Sequence, residues 1–208
     1  LGNSCAGATA IFDSDVSART SSLWYKADSV DLGTQQILFD EGGTTNGQII
    51  YLFDNKVFGC TSNGNATFCV DEATTANEWH HVALVWGSNS ESYLYYDGSK
   101  TDTFTGKLNQ AHGNPSALGS YAGNARFTSS ATSTAVADNR FDGIIDEFRV
   151  SNSKLSTDFI ATMYNTENTG TWQPSLNVPV NHFTSVGIHL SETLSLTDIT
   201  TGVKAVKE

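Results

Sequence analysis

The sequence predicts an all-β protein, a sandwich or a barrel, and three observations carry that expectation. Short runs rich in β-branched and aromatic residues recur along most of the chain. Clusters of Gly, Asn, Asp and Ser punctuate them, and a helical period is almost absent between them. The strand-like runs are residues 21–26, 36–39, 48–53, 57–60, 79–86, 92–96 and 143–150. The breaks include Glu41-Gly42-Gly43, Asp54-Asn55, Gly87-Ser88-Asn89 and Asp97-Gly98. Within 81–86, Val82, Leu84 and Trp86 fill one parity while Ala83 and Val85 fill the other. That is the pattern of a central strand covered on both faces.

One segment, 155–165, has helical spacing: Ser156 can cap its first turn, and Phe159, Ile160, Met163 and Tyr164 form one apolar stripe. After Gly170 the character changes. Leu176, Val178 and Val180 alternate with polar positions or Pro. Ile188, Leu190, Leu194 and Leu196 then share one parity, so this stretch is expected to form a strand. The division expected is a body of residues 1–172 and a tail of residues 173–208.

Composition excludes several classes. The 208 residues include 22 acidic and 11 basic side chains, for a net charge of −11. Nucleic acids and anionic membranes require a basic footprint, which this balance denies. Aromatics at 11% and charged residues at 16% are the proportions of a folding chain. No apolar run is long enough to span a bilayer, so no membrane insertion is expected. The chain starts at Leu1 without a Met or a basic-then-apolar leader, which reads as a mature product or an excised fragment.

The cysteines, Cys5, Cys60 and Cys69, make an odd set. Cys60 and Cys69 flank a stretch centred on Asn63-Gly64 that reads as a hairpin loop. A disulfide closing that loop leaves Cys5 free or paired with another chain; the plainer alternative is three buried thiols. Asn65-Ala66-Thr67 is a glycosylation sequon in the same loop. With the Ser, Thr, Asn and Gly content, it points to an extracellular or cell-surface location.

An ordered set of motifs resembles a known family. It comprises Ala18-Arg-Thr-Ser-Ser-Leu-Trp-Tyr-Lys-Ala-Asp28, Gln36-Ile-Leu-Phe-Asp-Glu-Gly-Gly43 and Asn46-Gly47. Glu78-Trp-His-His-Val-Ala-Leu-Val85, Tyr95-Tyr-Asp-Gly98 and Phe141-Asp-Gly-Ile-Ile-Asp-Glu-Phe-Arg-Val150 follow. Leu155-Ser156 then leads a short helix ending in Tyr164-Asn165. Over roughly the first four-fifths of the chain this is similar to a laminin G-like domain of the concanavalin A-like lectin/glucanase superfamily. The resemblance implies a two-sheet antiparallel jelly-roll sandwich with one short C-terminal helix, followed here by the strand-forming tail. It also implies a binding or adhesion module for a glycan or glycoprotein. The tail segment from His189 to Asp198 resembles Ser/Leu/Thr/Asp-rich repeats of long microbial surface proteins.

The superfamily includes glucanases whose carboxylates lie in a Glu-x-Asp-x-x-Glu run, and no such run occurs here. The adjacent pairs Asp40-Glu41, Asp71-Glu72 and Asp146-Glu147 leave a strand on opposite faces, so none can work as a retaining pair. Neither a Gly-x-Ser-x-Gly elbow nor a Walker-type glycine loop is present. The expectation is a non-enzyme.

Five histidines, His80, His81, His112, His182 and His189, lack the short pairings that zinc requires. Calcium suits the acidic loops better. The resemblance implies a structural Ca²⁺ between an N-terminal segment and an Asp on the last body strand, here Asp146, with Asp13 and Asp15 supplying the other side. The plainer alternative pairs Asp146 with Arg149 or Arg140. For a glycan, exposed aromatics would stack and loop amides would take hydroxyls. Tyr25 and Tyr51, with Asn63 and Asn65 of the 62–65 loop, are the candidate ligand contacts, and Phe53, Tyr93 and Tyr95 are further aromatics. For each ring a core role is the alternative. A different class of function is a structural or filament-forming surface subunit that self-associates by strand addition through its tail.

Overall fold

A computed structural model describes residues 16–42, 46–63, 66–87, 91–105, 116–120 and 139–168. It holds ten strands: β1 (Arg19–Ala27), β2 (Gln36–Gly42), β3 (Asn46–Phe53), β4 (Lys56–Asn63), β5 (Ala66–Ala73), β6 (His80–Trp86), β7 (Glu91–Tyr96), β8 (Ser99–Thr105), β9 (Ser116–Leu118) and β10 (Gly143–Ser151). One helix, α1 (Thr157–Asn168), follows. The strands form two five-stranded sheets, ordered β10-β1-β6-β7-β8 and β5-β4-β3-β2-β9. Every pairing of neighbours is antiparallel. This is the jelly-roll sandwich that strand rhythm and motif order predicted.

Strand alternation builds the core. Leu23, Tyr25, Val82, Leu84 and Leu94 of the first sheet meet Leu38, Phe39, Ile50, Leu52 and Val57 of the second. A register shift between Ile37 and Phe39 lets the neighbours Leu38 and Phe39 both face this core. Each such side chain contributes roughly 1.5–3 kcal/mol on burial, so the apolar parity decides which sheet face turns inward. At one end of the sandwich the inward parity of β1 carries Arg19 instead. It forms a fully buried ion pair with Glu41 of β2, and Gln48 reaches both Glu41 and Ser21. Burial pulls the Arg19 guanidinium down to about 10.

On the outer face of the second sheet, Ile37, Ile49, Tyr51 and Cys60 form a separate apolar cluster. Cys60 lies directly across from Cys69, and the two form a disulfide. On the outer face of the first sheet, α1 covers Ala83, Val85 and Tyr95 with Ile160. That covering explains why β6 is buried on both parities. Ser156 caps the helix, its Oγ accepting the Phe159 N–H at 3.2 Å. Among the described residues, no helix is long and apolar enough to cross a membrane. The tail, with His182 and His189, lies outside the described residues, as do Cys5 and His112.

Candidate functional site

The expected ligand tyrosines require correction. Tyr25 shares the inward parity of Leu23 and is fully buried. Its hydroxyl meets Thr74 Oγ1 at 2.7 Å, and burial holds its phenol well above the ordinary range. Tyr51 is also buried, its ring stacked on Phe58 with centroids 4.8 Å apart. Neither ring can offer a face to a sugar; the sandwich consumes both as packing. Tyr95 is buried with its hydroxyl 3.0 Å from Thr157, and Lys154 and Lys100 both sit over the Tyr93 ring. Asn63 ends β4, while Asn65 lies outside the described residues.

Asp146 is exposed on β10, directly across from Trp24. Its Oδ1 accepts the N–H of Glu147 at 2.8 Å. Arg149 turns to Glu147 and Glu167 instead. Asp13 and Asp15 lie outside the described residues, and no three metal-ligating side chains converge among the described ones.

The paired histidines diverge as adjacent strand residues must. His80 points to the rim between the sheets. Its Nδ1 lies 2.9 Å from Asp97 Oδ2 and 2.7 Å from the Tyr96 hydroxyl; its Nε2 lies 2.9 Å from Thr75 Oγ1. A hydroxyl, an imidazole and a carboxylate in series resemble the relay of a hydrolase. Here, however, the Thr75 hydroxyl also donates to Glu78 at 2.9 Å, and Asp97 accepts the backbone N–H of His81 at 2.8 Å. The network therefore ties the loop 74–79 to the β7–β8 turn.

His81 points the other way, under α1. It is fully buried between Trp24 and Tyr164, and neither ring nitrogen has a hydrogen-bond partner. Burial, reinforced by the charge of Arg149 and opposed by that of Asp97, pulls it down to about 4. Above it, Tyr164 stacks on Trp24 with ring planes 13° apart, and Trp24 Nε1 donates to Glu167. Burial raises the Glu167 carboxyl against the pull of Arg149 and Trp24. Gly98, in the β7–β8 turn at φ +75°, admits the Tyr164 ring: a Cβ there would lie 2.7 Å from Cδ1.

Beyond Trp24 the helix stops covering this face. Lys26, two residues along β1, has Trp24's orientation, and Ile144 of β10 lies directly across from it. Trp79 lies immediately before β6, at the end of the 74–79 loop. Trp79 is 43% exposed and Ile144 55% exposed. Gly143 makes this edge possible, since a Cβ there would lie 2.2 Å from the Lys26 carbonyl oxygen. Asp28, Asp142 and Asp146 at this end are exposed, and Asp28 N–H bonds the Asp142 carbonyl at 3.0 Å.

Sequence reasoning missed Trp79 as a surface residue because it stands inside a strand motif. Its exposure depends on where α1 ends, which no local pattern encodes.

A laminin G family model of the concanavalin A-like lectin/glucanases superfamily matches residues 3–161. The chain belongs to that family. No curated protein matches its sequence. Among solved structures, the binding domain of botulinum neurotoxin serotype G superposes with a TM-score of 0.57 at 8% identity. The match covers 74% of this chain and 37% of that one. The CBM40 of the Ruminococcus gnavus IT-sialidase, bound to α2,3-sialyllactose, matches with a TM-score of 0.53 at 20% identity, covering 71% and 83%. The binding domain of botulinum neurotoxin DC, in complex with rat synaptotagmin II, matches with a TM-score of 0.52 at 14% identity, covering 76% and 36%. The laminin G domain thus spans little more than a third of each toxin binding domain. At these identities the likeness is one of fold.

Proposed function

We propose that this laminin G domain is a non-catalytic extracellular module that binds a glycan or glycoprotein on the open end of its first sheet. One observation carries the reading: Trp79, in the loop just before β6, keeps a large aromatic ring 43% exposed, with exposed carboxylates such as Asp28 and Asp142 elsewhere at this end of the sheet. Sugars stack their C–H faces on such rings and give their hydroxyls to such acceptors. The His80–Thr75–Glu78 network holds the loop that carries the ring, so little ordering is needed on binding. The fold of the sialyllactose-bound CBM40 and of the toxin binding domains supports the same class of job. Absence of catalysis fits the diverging carboxylates: Glu41 turns to Arg19 between the sheets, while Asp71 meets Lys56 at 2.7 Å.

The structural calcium belongs to this proposal as well, with Asp146 joined by Asp13 and Asp15. Glycan arrays and isothermal titration, with calcium and with chelator, test both parts. The expected result is saturable binding, with a calcium-dependent gain in thermal stability lost in Asp146→Asn. A flat array in both conditions would sink the binding reading.

A further inference from the structure

The proposed binding end leaves the buried His81 ring unused, and that ring lies beneath α1. We infer that α1 is an acid-released cover: protonation of His81 lifts the helix from the first sheet while the sandwich stays folded. Both ring nitrogens of His81 are buried without a hydrogen-bond partner. The Trp24 ring of β1 stands 5.5 Å from it and the Tyr164 ring of α1 6.2 Å, between centroids. A neutral imidazole is tolerated here. An imidazolium brings two N–H donors and a charge, and burying these without acceptors costs far more.

The surrounding groups offer the cation no relief while the helix is docked. From β10, Arg149 opposes a second positive charge, and Glu147 and Glu167 already hold it. From the β7–β8 turn, Asp97 favours the cation, yet its oxygens take the His81 backbone N–H and His80 Nδ1. On α1, Glu167 is shared between Trp24 Nε1 and Arg149. Burial raises the Tyr164 phenol, which stays uncharged. Water supplies the missing acceptors only when α1 lifts.

Lifting α1 is the smaller opening. Ile160 is its one buried residue, whereas the sheets share the core that Leu23, Leu84, Ile50 and Leu52 help to build. Proteins open first where least is buried. Burial pulls the docked ring down to about 4 from the ordinary 6.5. The lifted form therefore binds the proton up to about 300-fold better, which bounds the gain in opening. Glu167 works against the release, because its raised carboxyl takes a proton more readily with the helix docked.

Hydrogen exchange of the whole chain tests this, read per residue by NMR and corrected for the intrinsic pH dependence. Between neutral pH and about pH 3.5, opening of α1 should rise by up to about 300-fold, with β6 still protected. The rise should follow the titration of the His81 ring, and the Trp24 indole N–H signal should move as Glu167 leaves it. Glu167→Gln should keep the rise. His81→Phe, which keeps a neutral ring, should abolish it. If His81→Phe does not fold, the wild-type ring titration decides alone.

Helix opening that does not change with pH, that comes together with loss of β6 protection, or that misses the His81 titration would overturn the inference. So would an acid rise that survives His81→Phe.

Discussion

Trp24, on β1, and Trp79, in the loop just before β6, have opposite fates. Trp24 is 7% exposed, with Tyr164 stacked on its ring and Glu167 accepting its N–H. Trp79 is 43% exposed, just past the reach of the helix. Within the covered half, an aromatic ring above and a carboxylate at the edge satisfy the indole. The difference teaches that α1 decides which tryptophan becomes core: where the helix lies down the ring is covered, and Trp79, outside that cover, stays at the surface.

Breaking the covered half should have the largest effect. Gly98→Val places a side chain where Tyr164 packs and forces a β-branched residue to φ +75°. The expected loss is about 3 kcal/mol or more, read by urea denaturation, with Trp24 fluorescence shifting as the helix lifts. A loss below about 1 kcal/mol would show that Tyr164 docking matters little.

Acid should attack the covered half next, through His81. Its neutral form alone suits the buried, partnerless site, so its folded value of about 4 lies below the ordinary 6.5. Between those values the unfolded chain binds the proton and the folded chain does not. The stability contribution is therefore complete above pH 6.5 and is lost as pH falls through about 4. The whole change is about 3 kcal/mol. Glu167, its carboxyl raised, acts with the opposite sign, its contribution being lost as pH rises. His81→Gln keeps Glu167, so the wild-type minus variant difference isolates the histidine. Parallel stability-against-pH curves for the two chains would refute the assignment.

The comparison also shows what a sequence exposes and what it hides. Seven strands were legible because their apolar or aromatic runs face a core, and 81–86 was rightly read as covered on both sides. β5, β8 and β9 were not. β8, Ser-Lys-Thr-Asp-Thr-Phe-Thr, is an edge strand with a polar face, and β9 is three residues long. Ser156 as the helix cap and the Ile160–Tyr164 stripe were both readable, since capping and periodicity are local. The inward Arg19–Glu41 pair was hidden because parity alone does not bring two strands of different sheets together. Tyr25 and Tyr51 misled for the complementary reason. A tyrosine carries the same signal whether its hydroxyl reaches water or, as at Tyr25, a buried Thr74.

A smaller effect should follow from loosening the far end of the helix. Glu167→Gln keeps an acceptor for the Trp24 N–H and removes the charge that holds Arg149. Arg149 is about a third exposed, so solvent weakens the pair, and the expected cost is about 1 kcal/mol. Thermal unfolding at neutral pH measures it. An unchanged midpoint would assign the docking of α1 to the apolar stripe alone.

The smallest effect on stability should come from Trp79. Trp79→Ala removes a large ring, yet the ring is not built into the core, and the His80–Thr75–Glu78 network that fixes its loop stays intact. Stability should move by no more than about 0.5 kcal/mol, measured by denaturant unfolding. Trp24→Ala, its neighbour in kind, should cost about 3–5 kcal/mol, because it empties a packed site and strands Glu167. A cost at Trp79 that approached the cost at Trp24 would mean that both tryptophans serve the fold. A wide gap would leave Trp79 as a large aromatic kept at the surface without a folding role, and binding is what such a residue remains able to do.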